Sequence, residues 1–521
     1  MTAALTVLGF SLVFGARTAG GADALGYVSQ AHLLLDGRLR IEDDTSRSAH
    51  WPFAAESMAP LGFAPGRPPG AIVPMYSPGA SLLMAAAIKL AGNCGPFYVA
   101  PVCGSLLVLA TWMFVQRLGG DGLTSGMTAA LTAASPVLLF NVTLPMSDTI
   151  MAALTMTALA LLTFKSVAAS AGAGLLTALA ITVRPNLAPL AGVLALAAVM
   201  WGEASQRLPR FVAFGLCASP GPILVAVVNN SLHGSPSRSG YGSLAHLYAL
   251  SNIPGNVERY IRWFVESHGW VAVGLAVVPL LVAAARPTSL DRRRTLPLAL
   301  FGAVLAASYL IYMQFDGWTF LRFVLPGLPL IYLLVSISLT RVARLEPAYL
   351  SIPCTVALAA YVLASTLTFA HRQGMFMVGE GELRYAAVAD FVNRALPENA
   401  AIIALQHTGT LAFYAGRLTL RYDVLPPHRL GSVLDWLQAN GYRPYVVLED
   451  WEEPRYRAHF TGVDRVNRLE MAPMVETTPG ITVRLYDPLD SPAQPMPPRM
   501  LDVTLAPECQ PPASGWTERL K

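Results

Sequence analysis

The stretch TFLRFVLPGLPLIYLLVSISLT, residues 319–340, carries one charge, Arg322, in an otherwise mostly apolar run. A membrane-spanning helix needs about 20 such residues, so this segment is long enough to cross a bilayer. A guanidinium inside an apolar run requires a partner, because an isolated charge is costly to desolvate. The stretch therefore predicts a membrane protein and places a candidate functional charge, Arg322, in it.

The composition of the whole chain agrees with this interpretation. Hydrophobic residues make up 54% of the 521 residues, charged residues only 13%, and the mean hydropathy is +0.48. Soluble domains carry about 25% charged residues, so most of this chain cannot face water. The formal net charge of +4 is small and gives no indication of nucleic-acid binding.

Similar apolar runs recur along the chain and predict a polytopic bundle of about eleven transmembrane helices. The other runs lie near residues 1–19, 96–116, 122–141, 147–165, 168–184, 186–202, 209–229, 269–286, 296–313 and 349–370. The first lacks a positively charged start and many runs follow it, so we interpret it as a span rather than a signal peptide.

The positions of the basic residues predict the orientation. With the N-terminus inside, the short inside loops hold nearly all basic clusters, around Arg117, Lys165, Arg207 to Arg210, Arg286 to Arg294, and Arg341 to Arg344. Basic residues favour the inside, so this parity places residues 20–95, 230–268 and 371–521 outside. Counting the short run 77–92 as a span would reverse that parity, so we expect an interfacial or re-entrant helix there.

The chain divides at about residue 370. Residues 1–370 form the predicted membrane domain, with a first outside loop at 20–78 and a later one at 230–268. In 371–521, strands are expected at 400–405, 418–424 and 444–449, and helices at 410–415 and 431–440. This alternation predicts a small α/β domain. The proline-rich residues 487–515 are expected to lack regular structure.

The cysteines and acidic residues give no metal signature. Three of the five cysteines lie in apolar runs, no CxxC or disulfide framework is legible, and the five are expected to be small buried hydrophobes. Glu42-Asp43-Asp44 could bind a divalent cation, but a solvated acidic turn is the favoured interpretation. A metal cofactor is therefore not expected.

Two aspartates stand at predicted helix starts. Asp23 follows the first span and precedes a helix predicted at 24–36, and Asp148 follows Leu144-Pro145. An N-cap explains either position, because a carboxylate there accepts backbone N–H bonds. The functional alternatives are a general base at Asp23, and an orienting or substrate-binding group at Asp148.

Three further positions could bind substrate. Tyr76, in Tyr76-Ser77-Pro78-Gly79, is explained equally well as a turn residue or an interfacial anchor. Arg184, in Arg184-Pro185-Asn186, lies at the outer edge, where it either snorkels to lipid headgroups or clamps a phosphate. Tyr241, in Ser239-Gly240-Tyr241-Gly242, is part of a loop that could cover a substrate.

The order of these motifs resembles the GT-C superfamily of membrane glycosyltransferases. The resemblance is greatest to the protein O-mannosyltransferases, which use dolichyl-phosphate-mannose, and to the bacterial aminoarabinose transferases. It covers residues 1–370 and runs through five features: Asp23 with Tyr27, Tyr76-x-Pro78-Gly79, Asp148, Arg184-Pro185, and Arg322 to Pro326.

The resemblance implies an activity and roles for residues. It implies inverting transfer of a sugar from a polyprenyl-phosphate donor to an unidentified acceptor hydroxyl, on the outer face of a bacterial inner membrane. Asp23 would be the catalytic base, and Arg322 with Arg184 would hold the lipid phosphate. Many members carry a second acid beside the first, whereas Ala24 follows Asp23 here.

Two other classes remain open from the sequence. A transporter or flippase could use the same charges as a substrate or proton path. Against it, the charges gather at the predicted outer edge and no inverted repeat is visible. A non-catalytic membrane scaffold is the third alternative.

Overall fold

The computed structural model describes residues 1–43, 45–285, 291–462, 464–489, 497–514 and 516. Parts of three predictions lie outside these residues: Asp44 of the acidic turn, residues 286–290 of a basic loop, and residues 490–496 and 515 of the proline-rich tail.

Helices dominate the first three quarters of the chain. The α-helices before the C-terminal sheet are Thr2–Phe14, Asp23–Leu35, Ala54–Met58, Pro78–Ala91, Pro96–Arg117, Gly122–Ala133, Pro136–Val142, Ser147–Leu162, Val167–Val183, Pro189–Met200, Arg207–Ala218, Pro220–His233, Leu244–Leu247, Ile253–Ala285, Arg292–Leu310, Leu328–Ala343, Ala348–Arg372 and Val378–Ala395. Short 3₁₀ segments occupy Thr45–Arg47, Gly92–Cys94, Pro185–Leu187, Ala204–Gln206, Leu250–Asn252, Trp318–Gly327 and Met375–Met377.

The apolar helices make this an integral membrane protein. Within the described residues, five helical segments are long and apolar enough to cross a membrane, or six if the bent pair Gly122–Ala133 and Pro136–Val142 is one span. Four apolar helices are shorter: Thr2–Phe14, Ser147–Leu162, Val167–Val183 and Pro189–Met200. The predicted number of about eleven spans is therefore not confirmed, because several of the predicted runs form helices shorter than a bilayer requires.

Two predicted segments differ locally from expectation. The predicted outside loop 230–268 is helical from Ile253 onward, and that helix continues to Ala285 with a break at Gly269. The predicted span at 319–340 begins as a 3₁₀ helix, Trp318–Gly327, before the α-helix Leu328–Ala343. Pro326 and Pro329 lack the N–H groups that a continuous α-helix would use, so Arg322 lies on the tighter segment.

Residues 20–95, which are predicted to lie outside and are called the first outside region, contain a small sheet. Strands β1 (Ile41–Glu42) and β2 (Phe63–Pro65) both pair antiparallel with β3 (Ala71–Pro74). The run predicted as interfacial or re-entrant is the helix Pro78–Ala91. At 1.5 Å per residue, its 14 residues span about 21 Å, short of the roughly 30 Å hydrocarbon core. Its placement at the interface stays a prediction.

The C-terminal region contains a mixed six-stranded sheet. The strands are β4 (Ala400–Ala404), β5 (Leu418–Arg421), β6 (Arg443–Glu449), β7 (Val475–Thr478), β8 (Val483–Tyr486) and β9 (Arg499–Asp502), in the order β5-β4-β6-β8-β7-β9. The helices Thr408–Ala415, Leu430–Ala439 and Glu453–His459 connect or follow strands, and a 3₁₀ turn, Val503–Leu505, follows β9. Strands β4 to β6 and the first two of these helices confirm the sequence predictions.

Two predictions for the C-terminal region need correction. Strands β7 and β8 were not expected, and they pair antiparallel next to β6. The tail predicted to be irregular contains β9, which pairs in parallel with β7 because the sheet edge offers unpaired backbone groups. A domain boundary at residue 370 is not tested by these contacts and stays a prediction.

A disulfide joins the tail to the segment just before the helix Pro96–Arg117. Cys94, after the helix Pro78–Ala91, is bonded to Cys509, which corrects the expectation that the cysteines are all small buried hydrophobes. The sequence could not reveal the pair, because 415 residues separate its members. Cys354 is exposed on a predicted span and also departs from that expectation. The disulfide ties the end of the C-terminal region to the first outside region.

Candidate active site

A cavity of about 670 Å³ lies where the first outside region, the membrane helices and the C-terminal region meet. This volume is within the range of ligand-binding sites. Six of the seven residues predicted to be functional line this central cavity: Asp23, Tyr27, Tyr76, Arg184, Tyr241 and Arg322. The seventh, Asp148, does not line it. Five widely separated stretches of sequence thus meet around one opening.

Asp23 is held by two partners. Its Oδ2 lies 2.6 Å from Nη2 of Arg322, and its Oδ1 accepts a hydrogen bond of 2.8 Å from the Tyr76 hydroxyl. Burial would raise the pKa of this carboxyl, but the Arg322 guanidinium and the Tyr76 hydrogen bond outweigh it and hold the pKa below its usual range. Asp23 is therefore a carboxylate in this state, facing the cavity with 28% of its side chain exposed.

The N-cap interpretations of both aspartates are wrong. Asp23 is the first residue of its helix and Ala22 is the N-cap, with no side-chain cap bond. Asp148 is the second residue of its helix after the N-cap Met146, again without a side-chain cap bond. Both carboxylates pair with arginines instead, because a guanidinium offers stronger, charge-assisted contacts than a backbone N–H.

Asp148 is the buried partner of the two arginines. Its side chain is 1% exposed, with Oδ1 2.7 Å from Nη2 of Arg184 and Oδ2 3.9 Å from Nε of Arg322. A buried carboxylate without such partners would be strongly destabilising. Asp148 thus neutralises part of the positive charge beneath the cavity and orients Arg184, one of the roles considered from the sequence.

The two arginines differ in how fully they are engaged. Every guanidinium nitrogen of Arg184 has a contact: Nη2 with Asp148, Nε with Ser147 Oγ at 3.3 Å, and Nη1 with the Tyr309 hydroxyl at 3.2 Å. Arg184 does not simply snorkel to the membrane surface. The guanidinium carbon of Arg184 lies 4.9 Å from the centroid of the Phe323 ring.

Arg322 retains donors for a ligand. Its Nη2 pairs with Asp23, while Nη1 contacts the Met146 sulfur, a weak acceptor, at 3.6 Å and no other acceptor among the described residues. Phe320 and Phe323 lie near its guanidinium, at 5.1 and 5.6 Å. A planar guanidinium can hold two oxygens of a phosphate, so Arg322 is better placed than Arg184 to bind one.

Aromatic side chains form another part of the wall. The rings of Tyr27 and Tyr76 lie 4.6 Å apart, and Tyr241 meets Tyr76 edge-on at 5.9 Å. The Tyr27 hydroxyl donates to Ser147 Oγ at 2.8 Å. Pro78 begins the next helix directly after this cluster, so the Pro-Gly pair of the Tyr76 motif starts a helix instead of forming an isolated turn.

Comparisons with known proteins place the fold. No family model and no curated protein sequence matches the chain. The structure is similar to the crystal structure of ArnT from Cupriavidus metallidurans bound to undecaprenyl phosphate, with a TM-score of 0.56, 16% identity and coverage of 93% of this chain and 96% of that one. The chain has the GT-C fold.

A second solved structure supports the GT-C fold. The oligosaccharyltransferase AglB from Archaeoglobus fulgidus, in complex with an inhibitory peptide and a dolichol-phosphate, has a TM-score of 0.56 and 12% identity. The match covers 95% of this chain and 74% of that one. The apo form of the same enzyme has a TM-score of 0.57.

Sequence reasoning missed several residues in and around the central cavity. Tyr309 accepts hydrogen bonds from both Arg184 and Asn186. The sequence did contain a signal for this residue, because the hydroxyl of a tyrosine inside an apolar run needs a hydrogen-bond partner. Glu382, Arg384, Tyr385 and Gln406 line the same cavity from the C-terminal region. They are ordinary polar residues in their local sequence, which gave no signal for them.

No metal cluster is visible among the residues that the structure describes: none of their His, Cys, Asp and Glu side chains group in threes around a shared point. In the acidic turn, the Asp43 carboxylate accepts the Thr45 N–H at 2.8 Å, and Glu42 lies 3.9 Å from Arg40. Asp43 is buried, which corrects the expectation of a solvated turn at this residue, whereas Glu42 is exposed. Metal independence stays a prediction from the sequence.

Proposed function

We propose that this protein transfers a sugar from a polyprenyl-phosphate donor to an acceptor hydroxyl, with inversion at the anomeric carbon. One observation carries the proposal: the Asp23 carboxylate and the Arg322 guanidinium face one cavity between the membrane helices and the C-terminal region. ArnT bound to undecaprenyl phosphate and AglB bound to dolichol-phosphate support this class of donor.

The donor phosphate would bind at Arg322. Within the part of the chain that the structure describes, the hydrogen-bond partner of its Nη1 is the Met146 sulfur, and two phosphate oxygens fit one guanidinium. Arg184 stands behind it, fixed by Asp148, and adds positive charge. Apolar side chains of the same cavity, Val225 and Leu247, offer a surface for the first part of the prenyl chain.

Donor binding would also prepare the base. In the free protein Arg322 pairs with Asp23 and keeps the pKa of that carboxyl low, which makes it a weak proton acceptor. A phosphate at Arg322 competes for the guanidinium and brings negative charge close to Asp23, and both effects raise its pKa. The donor therefore binds before Asp23 becomes an effective base.

The reaction is then a single displacement at the anomeric carbon. The acceptor oxygen attacks the anomeric carbon while its proton passes to Asp23. The bond between that carbon and the phosphate oxygen breaks, and the electron pair leaves with the polyprenyl phosphate. The charge that develops on the phosphate is stabilised by Arg322 and Arg184, which are already in position. Attack from the face away from the phosphate inverts the anomeric centre.

The disulfide supports an outer location for this site. Disulfides persist mainly in oxidising compartments outside the cytosol. Cys94 and Cys509 both lie in regions that the basic residues place outside, so two independent features agree on the orientation. We propose that the site opens to the outer face of a bacterial inner membrane.

The test is Asp23→Asn in reconstituted vesicles supplied with radiolabelled undecaprenyl-phosphate sugars and a membrane lipid and glycan extract as acceptor. We expect transfer to fall by about a hundred- to ten-thousandfold, the usual contribution of a general base. Asp36→Asn, an exposed position just beyond the same helix, is the matched control and should transfer normally. Wild-type transfer by Asp23→Asn would refute the role of this residue. Movement of the label across the bilayer without transfer would favour a flippase.

A further inference from the structure

Part of the wall of the central cavity comes from the C-terminal region and has no role in the mechanism above. Glu382, Arg384 and Tyr385 on the helix Val378–Ala395, and Gln406 after β4, line the cavity together with Asp23. These four residues are called the C-terminal wall. Its groups are polar and largely buried, an arrangement that is costly unless it serves hydrogen bonding.

The C-terminal wall lies directly against the loop that leads into Asp23. A Cβ on Gly20 would lie 1.9 Å from Cε2 of Tyr385 and 2.7 Å from Oε2 of Glu382, so only glycine permits this approach. Gly21 has a φ of +62° and would place a Cβ 3.0 Å from the Gln406 amide nitrogen. The wall and the proposed base are therefore close together and fixed relative to one another.

The Arg384 guanidinium of the C-terminal wall is already hydrogen-bonded to other residues of the protein. Nε of Arg384 donates to Oε1 of Glu449 at 2.8 Å, and its Nη2 donates to the Tyr385 hydroxyl at 2.8 Å. Gln406 Nε2 donates to the same hydroxyl at 2.8 Å. Arg384 thus serves to hold Tyr385 and Glu449, and its main donors are engaged away from a ligand.

Glu382 keeps capacity to accept hydrogen bonds. Its nearest cation, Arg384 Nη1, is 3.5 Å away, beyond a strong hydrogen bond, and 17% of its side chain is exposed. Burial raises the pKa of this carboxyl. A carboxyl group offers about four acceptor positions, so positions remain for a ligand in the cavity.

We propose that Glu382 and Gln406 bind hydroxyl groups of an uncharged sugar unit in the acceptor, beside the hydroxyl that attacks the donor. This proposal rests on the proposed function and names its acceptor class. Carboxyl and amide oxygens accept hydrogen bonds from hydroxyls, whereas Glu382 supplies no positive charge that would bind a phosphate or carboxylate. Anionic groups are instead attracted to Arg322 and Arg184, so the cavity separates the donor phosphate from a neutral acceptor.

The transfer test uses Glu382→Gln and, as a matched control, Glu380→Gln, an exposed glutamate two residues earlier on the same helix that does not line the cavity. The acceptor probes are benzyl glucoside, galactoside and mannoside, the 6-phosphates of the same glycosides, and an acetylated serine–threonine peptide. We expect at least one uncharged glycoside to serve as acceptor, and Glu382→Gln to raise its KM by about tenfold or more. The KM for the donor should not change, and Glu380→Gln should keep the wild-type KM values.

Three outcomes of this test overturn the proposal. They are equal acceptor KM values for the two glutamine variants, better use of a 6-phosphate than of the uncharged glycoside, and transfer to the peptide alone. If Glu382→Gln does not fold, as judged by its melting temperature in detergent, Gln406→Met takes its place with the same expectation.

A binding measurement separates this proposal from the proposed function. Saturation-transfer NMR of the same benzyl glycosides with the detergent-solubilised full chain requires no donor and no turnover. Binding that Glu382→Gln abolishes and Glu380→Gln leaves intact supports the sugar site even if no donor is ever transferred. Transfer by the wild type with no effect of Glu382→Gln on binding or on KM overturns the sugar site and leaves the transferase intact.

Discussion

The substitution Arg322→Gln tests how the site works most directly, because Arg322 contacts the proposed base and faces the proposed phosphate position. Its Nη2 lies 2.6 Å from Oδ2 of Asp23. The attraction within an ion pair of this kind is large: two unit charges about 4 Å apart interact by about 4 kcal/mol at an effective dielectric constant of 20. Loss of one preorganised donor to a developing oxyanion typically costs about 3 kcal/mol, or a hundredfold or more in rate.

We therefore expect kcat/KM for sugar transfer to fall by about a hundred- to a thousandfold in Arg322→Gln. Arg322→Lys keeps the charge but not the planar pair of donors, so its rate should lie between that of Arg322→Gln and the wild type. The assay is the initial rate of release of label from undecaprenyl-phosphate sugar in vesicles, with Arg259→Gln, a surface arginine paired to the exposed Asp316, as the control.

The pH profile gives a second readout of the same variant. In the wild type Arg322 helps to hold the pKa of Asp23 below its usual range, so the acidic limb of kcat/KM should lie at low pH. Without the guanidinium, burial dominates and the pKa rises, so the acidic limb should move to higher pH. An Arg322→Gln variant within twofold of wild-type rate at neutral pH, with an unmoved acidic limb, would refute both the phosphate and the base assignments.

Two predictions concern stability. Reduction of the Cys94–Cys509 disulfide should lower the melting temperature in detergent, since a crosslink that closes a long loop typically stabilises by about 2–4 kcal/mol. The variant with serine at both positions should melt at the same temperature as the reduced wild type. An unchanged melting temperature on reduction would contradict this. Burial would raise the pKa of Glu449, but His407 and Arg384 lower it to about 2. Because the folded-state pKa is depressed, the stabilisation is present above about pH 4.5 and is lost as pH falls toward 2. Glu449→Gln should therefore cost about 3 kcal/mol at pH 7 and less at pH 3.5, as measured by thermal melting; an equal cost at both pH values would be inconsistent with the ionised pair.

Much of the fold could be predicted from the sequence, because hydropathy and local pattern act over neighbouring residues. The apolar runs became helices, although bends and short lengths changed how many can be counted as spans. Strands β4 to β6 followed from short apolar segments between turn residues. The paired strands β7 and β8 were missed, since their four-residue segments are stabilised by neighbours in the sheet more than by their own sequence.

The residue types of the candidate site and the gathering of its charges at one edge were predicted, but the pairing of individual side chains was not. Asp23, Arg184 and Arg322 stood out because charges beside or within apolar runs are costly without a function or a partner. The sequence could not distinguish Asp148 as an N-cap from Asp148 as a buried counter-ion, because both place a carboxylate in the first turn of a helix. The position of the N-cap at Met146 and the distance of 2.7 Å from Asp148 to Arg184 decide between them.

What the sequence determined by itself is a membrane protein with a few ionisable residues at the ends of its apolar segments. The tertiary structure alone decided that Asp23 meets Arg322 across 299 residues of chain, and that Glu382 of the C-terminal region lines the same cavity. It also decided that Cys94 pairs with Cys509. The physical reason is that desolvation cost can be estimated from local composition, whereas the identity of the partner that compensates it depends on how distant segments pack.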